Sequence, residues 1–249
     1  EDPVEYNLFG INQVLVRSEI GMTFAAALRA FLRQDPNIIM VGEIRDLETA
    51  SIGIKAALTG HLVLSTLHTN SAPETVTRLL DMGIESFNVA SAINLIVAQR
   101  LVPKICVHCA VKYVPEEAEL AVAKVTPTMT MRDLKFSDLA LADAKPRATR
   151  FAAPYTQKVT LDTPIGDLPF FKGTGCEACQ GAGLKGRQGL YETMNMTTSL
   201  RKLIMKQVGA AEIGAAAVAE GMLTLRMDGW LKVIKGIASL DHVVRETSI

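Results

Sequence analysis

An α/β fold built on a parallel sheet is predicted from three observations. Two short apolar runs, residues 38–41 (IIMV) and 61–67 (HLVLSTL), stand among segments of helical period, and turn-forming residues bound them. The first, wholly apolar, is the pattern of a strand buried on both faces, and the second reads as another buried strand. Their alternation with helices implies βαβ units and a sheet covered on both sides. Two Cys-x-x-Cys pairs follow, and then a series of amphipathic helices. The expected organisation is an α/β lobe over residues 1–104, a tetracysteine zinc subdomain over 105–190, and a C-terminal helical subdomain over 191–249.

In the first lobe, Thr23 is a fair N-cap for a helix with an apolar face of Phe24, Leu28, Phe31 and Leu32. Arg29 and Arg33, four apart, share another face. The helix stops before Asp35-Pro36, and the run 38–41 ends in Gly42-Glu43. Residues 47–60 (LETASIGIKAALTG) are helical in period and stop at Gly60. The strand 61–67 then delivers His68-Thr69-Asn70. Pro73 suits the start of a helix through Val76 and Leu79 to Gly83. Residues 86–100 are expected as the next helix, through Val89, Ile93, Ile96 and Val97.

In the cysteine region, a short helix is expected over 115–124, and no regular element is assigned to 126–167, where prolines stand at 127, 146, 154 and 164. Residues 181–194 turn from glycine-rich to strand-like. Thr198 is expected to cap a helix through Leu200, Leu203, Ile204 and Val208. Helices then follow at 211–220, 223–235 and 240–246, with Trp230 in their core.

Composition limits the function. Basic and acidic residues number 26 each, so no basic excess favours nucleic acid as a partner. Hydrophobic residues make up 49% and aromatic ones only 5%, so aliphatic side chains must build the core. No uninterrupted apolar run reaches the roughly 18 residues that a membrane-spanning helix needs. The nearest stretch, residues 87–102, is broken by Asn88, Asn94, Gln99 and Arg100. No signal peptide opens the chain. It begins at Glu1-Asp2-Pro3, in the middle of an apparent motif, and further chain upstream is expected.

The chemistry-bearing residues lie at loop positions. In open α/β sheets ligands bind beyond the carboxyl ends of the strands, where Glu43 is expected. A carboxylate there can hold Mg²⁺ through water or orient the water that attacks a terminal phosphate; an acidic turn with no further duty fits the same residues. Glu1 and Glu5 flank Pro3 in a loop, as metal-or-water ligands or as a solvated acidic turn. His68 stands at the carboxyl end of the second strand, where a hydrogen-bonded loop histidine is the plainer alternative. Arg29 and Arg33 read as a solvated stripe or as nucleotide contacts. Cys106, Cys109, Cys176 and Cys179 can bring four thiolates to one tetrahedral point, the preference of structural Zn²⁺. The 66 residues between the pairs exceed the usual ribbon spacing of about 15–20, so a folded insert is expected there. Disulfides and a thioredoxin-like redox pair are the competing readings of these cysteines, and His108 is a bystander.

The segments EDPVE (1–5), LRQDPNIIMVGEIRD (32–46) and TGHLVLSTLHTN (59–70), in that order, resemble the acidic box, Walker B segment and histidine box of the type II secretion and type IV pilus assembly ATPases. The paired cysteines extend the resemblance, since the assembly and secretion ATPases carry a four-cysteine metal subdomain that the retraction ATPases lack. It implies a partial RecA-like ATPase lobe, with ATP and Mg²⁺ at the junction of subunits in a homohexamer. Glu5 matches the acidic-box glutamate and Glu1 a less central position. Glu43 and Glu5 would divide metal coordination and water polarisation, His68 would sense the terminal phosphate, and His61 would frame the histidine box. Arg29 and Arg33 would contact charge. The resemblance also implies a cytoplasmic protein, peripheral to the inner membrane and docked on a membrane platform protein. No GxxxxGK[ST] loop occurs in the 249 residues, so the cradle for the β- and γ-phosphates is absent and this stretch alone is expected not to hydrolyse ATP. Two other functions suit parts of the pattern: a zinc-stabilised interaction module with vestigial ATPase machinery, and a DNA translocase on a RecA-like lobe.

Overall fold

The computed structural model describes residues 1–145 and 158–248; prolines 146 and 154 lie outside them. The chain divides into two compact units, Glu1–Ile96 with Met194–Ala217, and Val97–Thr193 with Val218–Ile249. The stretch expected as one helical subdomain, 191–249, is therefore shared between both units.

In the first unit, helix α1 (Phe24–Leu32) starts where Thr23 accepts a hydrogen bond from the Ala26 amide. Strand β1 (Ile38–Val41) leads to helix α2 (Leu47–Leu58), whose N-cap is Asp46, bonded to the Thr49 amide at 2.8 Å. Such a cap is worth about 1 kcal/mol. Strand β2 (Leu62–Ser65) pairs with β1 in parallel, Ile38 opposite Leu62 and Val41 opposite Ser65. Leu28 of α1, Ile39 and Val41 of β1 and Ala56 of α2 form one apolar cluster, with Phe24, Phe31, Ile52 and Val63 packed around it. Helix α3 (Ala72–Asp81) follows, with Ser71 as N-cap and proline in its first turn, and then helix α4 (Ser86–Ala92).

Two expectations are corrected here. Strand β1 is buried on one face only: Ile39 and Val41 are covered, while Ile38 and Met40 are 60% and 65% exposed. In β2 no residue is fully buried: Leu62, Leu64 and Ser65 are exposed and Val63 is half-buried. A parallel sheet buries both faces only between two helical layers, and among the described residues helices α1 and α2 supply one. Second, the helix expected over 86–100 ends at Ala92, and the remainder belongs to strand β3 (Leu95–Ile105), which pairs with a later strand. Asn94 interrupts the helical period, and the β-branched residues after it suit a pleated surface better than a helix.

Strand β4 (Ala110–Tyr113), helix α5 (Glu117–Val122) and a single turn, α6 (Asp138–Leu141), precede strand β5 (Phe170–Gly173). Strands β4 and β5 pair antiparallel, Ala110 opposite Gly173 and Tyr113 opposite Phe170. Strand β6 (Leu184–Asn195) is the partner of β3. Helices α7 (Thr198–Met205) and α8 (Ala210–Ala219) come next, α7 being capped by Thr197 and not by Thr198. Helices α9 (Leu225–Ile234) and α10 (Leu240–Thr247) complete the chain.

The core of the second unit centres on Trp230 of α9, 1% exposed, with Phe170, Met131, Ile165, Leu190 and Val243 around it. Phe170 meets Trp230 edge-on at 6.3 Å between ring centroids and Tyr113 at the same separation, the geometry aromatic quadrupoles favour. The polar groups of this core are matched: Glu192 of β6 accepts from the Leu225 amide at 3.2 Å. Asp228 of α9 accepts from the Tyr191 amide at 2.9 Å and from Lys232 at 2.8 Å. Replacing Trp230 with Ala is expected to cost about 3–5 kcal/mol through lost burial and the cavity left behind. Urea titration followed by circular dichroism would measure it, and an unchanged midpoint would show that this ring does not hold the unit together.

Candidate functional site

The carboxyl edge of the β1–β2 pair gathers the residues with chemistry. Because the strands are parallel and in register, the loops after Val41 and Ser65 emerge side by side. Two bonds tie them: the Thr66 hydroxyl donates to the Gly42 carbonyl at 2.7 Å, and the Ile44 amide donates to the Thr66 carbonyl at 3.0 Å. The loop after His68 is held in turn by the Asn70 amide on Glu74 of α3 at 3.0 Å and by the Thr69–Thr75 hydroxyl pair at 2.8 Å.

With both loops fixed, Nε2 of His68 lies 3.0 Å from Oε2 of Glu43. Arg45 lies on the other carboxylate oxygen at 2.5 Å, and its guanidinium also reaches Asp2 at 3.9 Å. The Glu43 side chain is 13% exposed against 86% for His68, so a shielded carboxylate stands behind an open imidazole. The Arg45 hydrogen bond holds the Glu43 carboxyl below its usual range; partial burial pushes the other way, and the His68 bond adds to the lowering. Glu43 is therefore anionic at neutral pH, ready to accept a proton or to meet a hydrated cation.

The other expected residues are placed less uniformly. The acidic loop comes to this edge through Glu1, whose Cα lies 3.5 Å from where a side chain on Gly42 would begin. The Glu1 carboxylate accepts from Gln13 at 2.9 Å. Glu5 is exposed and makes no side-chain bond among the described residues; it is not joined to Glu43 or His68. Arg29 is ion-paired with Glu48 at the start of α2, and Arg33 is the exposed C-cap of α1. His61 lies at the opposite, amino edge of the sheet, where its Nδ1 stands 3.0 Å from the Ala56 carbonyl at the end of α2. Sequence reasoning passed over Arg45, Asp2 and Thr66. The signal for Arg45 was its place two residues after Glu43, with only Ile44 between them.

The four cysteines form a second centre. Cys109 directly precedes β4 and Cys176 stands three residues beyond β5, so the antiparallel pairing carries the two knuckles together across the intervening residues. The Thr174 amide on the Cys109 carbonyl at 3.1 Å and the Cys106 amide on the Gly183 carbonyl at 2.9 Å lock them. Gly173 and Gly183 touch backbone to backbone; a Cβ on Gly173 would sit 2.0 Å from the Gly183 carbonyl oxygen, and only glycine fits. The sulfurs of Cys106 and Cys176 are 3.8 Å apart, those of Cys109 and Cys179 3.9 Å, and those of Cys176 and Cys179 3.6 Å. These separations are far beyond a disulfide bond of about 2.05 Å. They match the edge of a tetrahedron whose metal–sulfur bonds are about 2.3 Å. Burial raises the Cys179 thiol, but amide hydrogen bonds from Cys176 and Gly183 outweigh it and bring it down to about 6. For Cys109 burial prevails and the thiol is pushed up to about 11. The set can hold a metal ion.

An α/β lobe with an acid and an imidazole at its carboxyl edge, in a chain that also carries a four-thiol centre, defines the class: the chain belongs to the type II/IV secretion system protein family, whose pattern it matches over residues 1–245. It is 46% identical over 248 residues to the type IV pilus assembly ATPase PilB of Acinetobacter baylyi, covering 100% of this chain and 37% of that protein. It is 47% identical to PilB of Pseudomonas aeruginosa, covering 99% and 37%. To the type II secretion system protein E of Pseudomonas aeruginosa it is 41% identical, covering 99% and 42%. The chain thus spans about two-fifths of these relatives' length. Among solved structures it shares the fold of the pilus retraction motor PilT with bound ADP, with TM-score 0.56 and 24% identity, covering 100% of this chain and 51% of that one. It also shares that of the Legionella pneumophila ATPase DotB, with TM-score 0.54 and 20% identity, covering 97% and 48%.

The Arg45–Glu43 bond has a measurable sign. The stability Glu43 contributes is present above its unfolded-state pKa and is lost as pH falls through the lower folded value. Arg45→Gln is expected to move the Glu43 titration upward, as followed by carboxyl ¹³C NMR; an unmoved midpoint would remove Arg45 as the cause. At the thiol centre, purified protein is expected to carry one metal ion per chain, and Cys176→Ser to lose it. Elemental analysis alongside thiol titration before and after chelation would check this.

Proposed function

We propose that this chain is the carboxyl-terminal part of a hexameric ATPase motor that powers type IV pilus assembly or type II secretion. The observation that carries the reading is the Glu43–His68 pair at the carboxyl edge of a parallel two-strand unit, a 3.0 Å contact between residues 25 apart in sequence. The 46–47% identity to pilus assembly ATPases supports it. In this reading residues 1–104 are a partial RecA-like nucleotide lobe, 105–190 a zinc subdomain, and 191–249 the helical part.

The residues present suit one side of a triphosphate. Glu43, anionic and shielded, either takes a proton from the attacking water or holds hydrated Mg²⁺, with Glu5 from the acidic loop taking the other duty. Glu1 supports that loop through Gln13. Exposed His68 presents its ring toward the terminal phosphate, and movement of His68 off Glu43 reports its arrival. Arg29 and Arg33, both exposed on α1, supply positive charge across a subunit junction to the transferring phosphoryl group, Arg29 by leaving its Glu48 partner. His61, bonded at the far edge of the sheet, frames the histidine box by fixing the end of α2. Zn²⁺ fits the four thiols by number and spacing, and holds the insert together. The protein works at the cytoplasmic side of the inner membrane on a platform protein. Among the described residues no helix is long and apolar enough to cross a membrane.

Two tests follow from these roles. In the full-length protein, Glu43→Gln is expected to lower ATP turnover by at least about a hundredfold while nucleotide-dependent assembly persists. Steady-state phosphate release with analytical ultracentrifugation would decide it, and surviving turnover would dismiss Glu43. The 249-residue chain by itself, which lacks a phosphate-cradling loop, is expected to show no ATP turnover above background in the same assay.

A further inference from the structure

A groove of about 550 Å³ between α4 and α7, in the first unit, is lined by Ala90 and Ser91 on one side and by Thr198, Lys202, Met205 and Lys206 on the other, with Arg201 bridging them. Its chemistry is one-signed: three of the seven lining residues are cationic and none is acidic, in a chain whose total charge is zero. Arg201 is committed to holding the two helices, donating to the Ala90 carbonyl and, at 3.4 Å, to the Asn94 side chain. Lys202 and Lys206 are exposed and enter no ion pair among the described residues. Four apart on the helix, they form one charged rim. The interior is apolar, with Ala90 buried at its floor and Met205, 51% exposed, on its wall. Phe87, four residues before Ser91 on α4, is also 51% exposed and continues the apolar line along the same helix face.

We propose that this groove is the docking site for an acidic amphipathic helix of a protein partner. An apolar recess between two helices, flanked by exposed lysines that enter no ion pair among the described residues, suits leucine anchors at three- and four-residue spacing with glutamates or aspartates beside them. Met205 adapts to the shape of such anchors, and the lysine stems extend the apolar wall before presenting their charge. A bilayer is the weaker match, because the surface is concave and polybasic membrane patches carry about four to eight lysines or arginines, where this rim has two free ones. The site is separate from the Glu43–His68 edge and does not depend on the proposed catalytic roles.

The test uses full-length protein without nucleotide and a fluorescent helical peptide of about 18 residues, with leucines at three- and four-residue spacing flanked by glutamates. Anisotropy titration is expected to show saturable binding that weakens as salt is raised. The double variant Lys202→Glu/Lys206→Glu should lose affinity at least about tenfold and gain affinity for the same peptide with lysines in place of glutamates. Ser91→Trp, filling the recess from the opposite helix, should block binding without changing the charge. Circular dichroism and melting of each variant establish that it folds. Absence of saturable binding, or binding that ignores both the charge reversal and the tryptophan, would overturn the proposal. So would lysine-dependent binding to phosphatidylglycerol vesicles by a protein that ignores the peptide.

Discussion

The parallel register of β1 and β2 is the constraint on which the site depends. Because side chains alternate along a strand, a slip of one residue would turn Ile39 and Val41 out of the cluster with Leu28 and Ala56. Burial thus fixes the register, and the register fixes where the two loops leave the sheet. Thr66 then closes the exit by bonding back to Gly42, and His68 arrives beside Glu43. The apolar core of a few aliphatic residues is in this sense what sets a polar distance two and three residues beyond the end of the ladder.

A similar logic operates at the thiols. No local feature of Cys106-Val107-His108-Cys109 brings it near Cys176. The β4–β5 pairing does so, and that pairing is anchored by Phe170, which enters the aromatic stack with Tyr113 and Trp230. The close contact of Gly173 with Gly183 lets the two knuckles approach without side chains between them. The strand pair that carries Phe170 into the core of the second unit thus also brings the four thiols together.

Charge in this chain cancels in sum but not in place. Exposed pairs such as Arg132–Asp162 add little to stability, because water and salt screen them. The Arg45–Glu43 contact differs in consequence, since it fixes the protonation of a carboxylate sheltered at a sheet edge. Lys202 and Lys206 differ again, being charges that enter no ion pair among the described residues beside an apolar recess.

The sequence by itself determined the local elements and the identity of the chemical groups. Thr23 could be read as a helix start because capping is a short-range interaction. The apolar runs at 38–41 and 61–67, the paired cysteines and Glu43 with His68 were all legible for the same reason. Strand β3 was misread as helix because an apolar run broken by polar residues fits both periods, and only its partner β6 selects one. Tertiary structure alone decided that β1 is covered on one face, that His61 lies at the far edge, that Glu5 stands apart and that Arg45 holds Glu43. Each of these depends on which segments meet in space, and strand pairing and side-chain contact between distant residues leave no periodic trace in the chain.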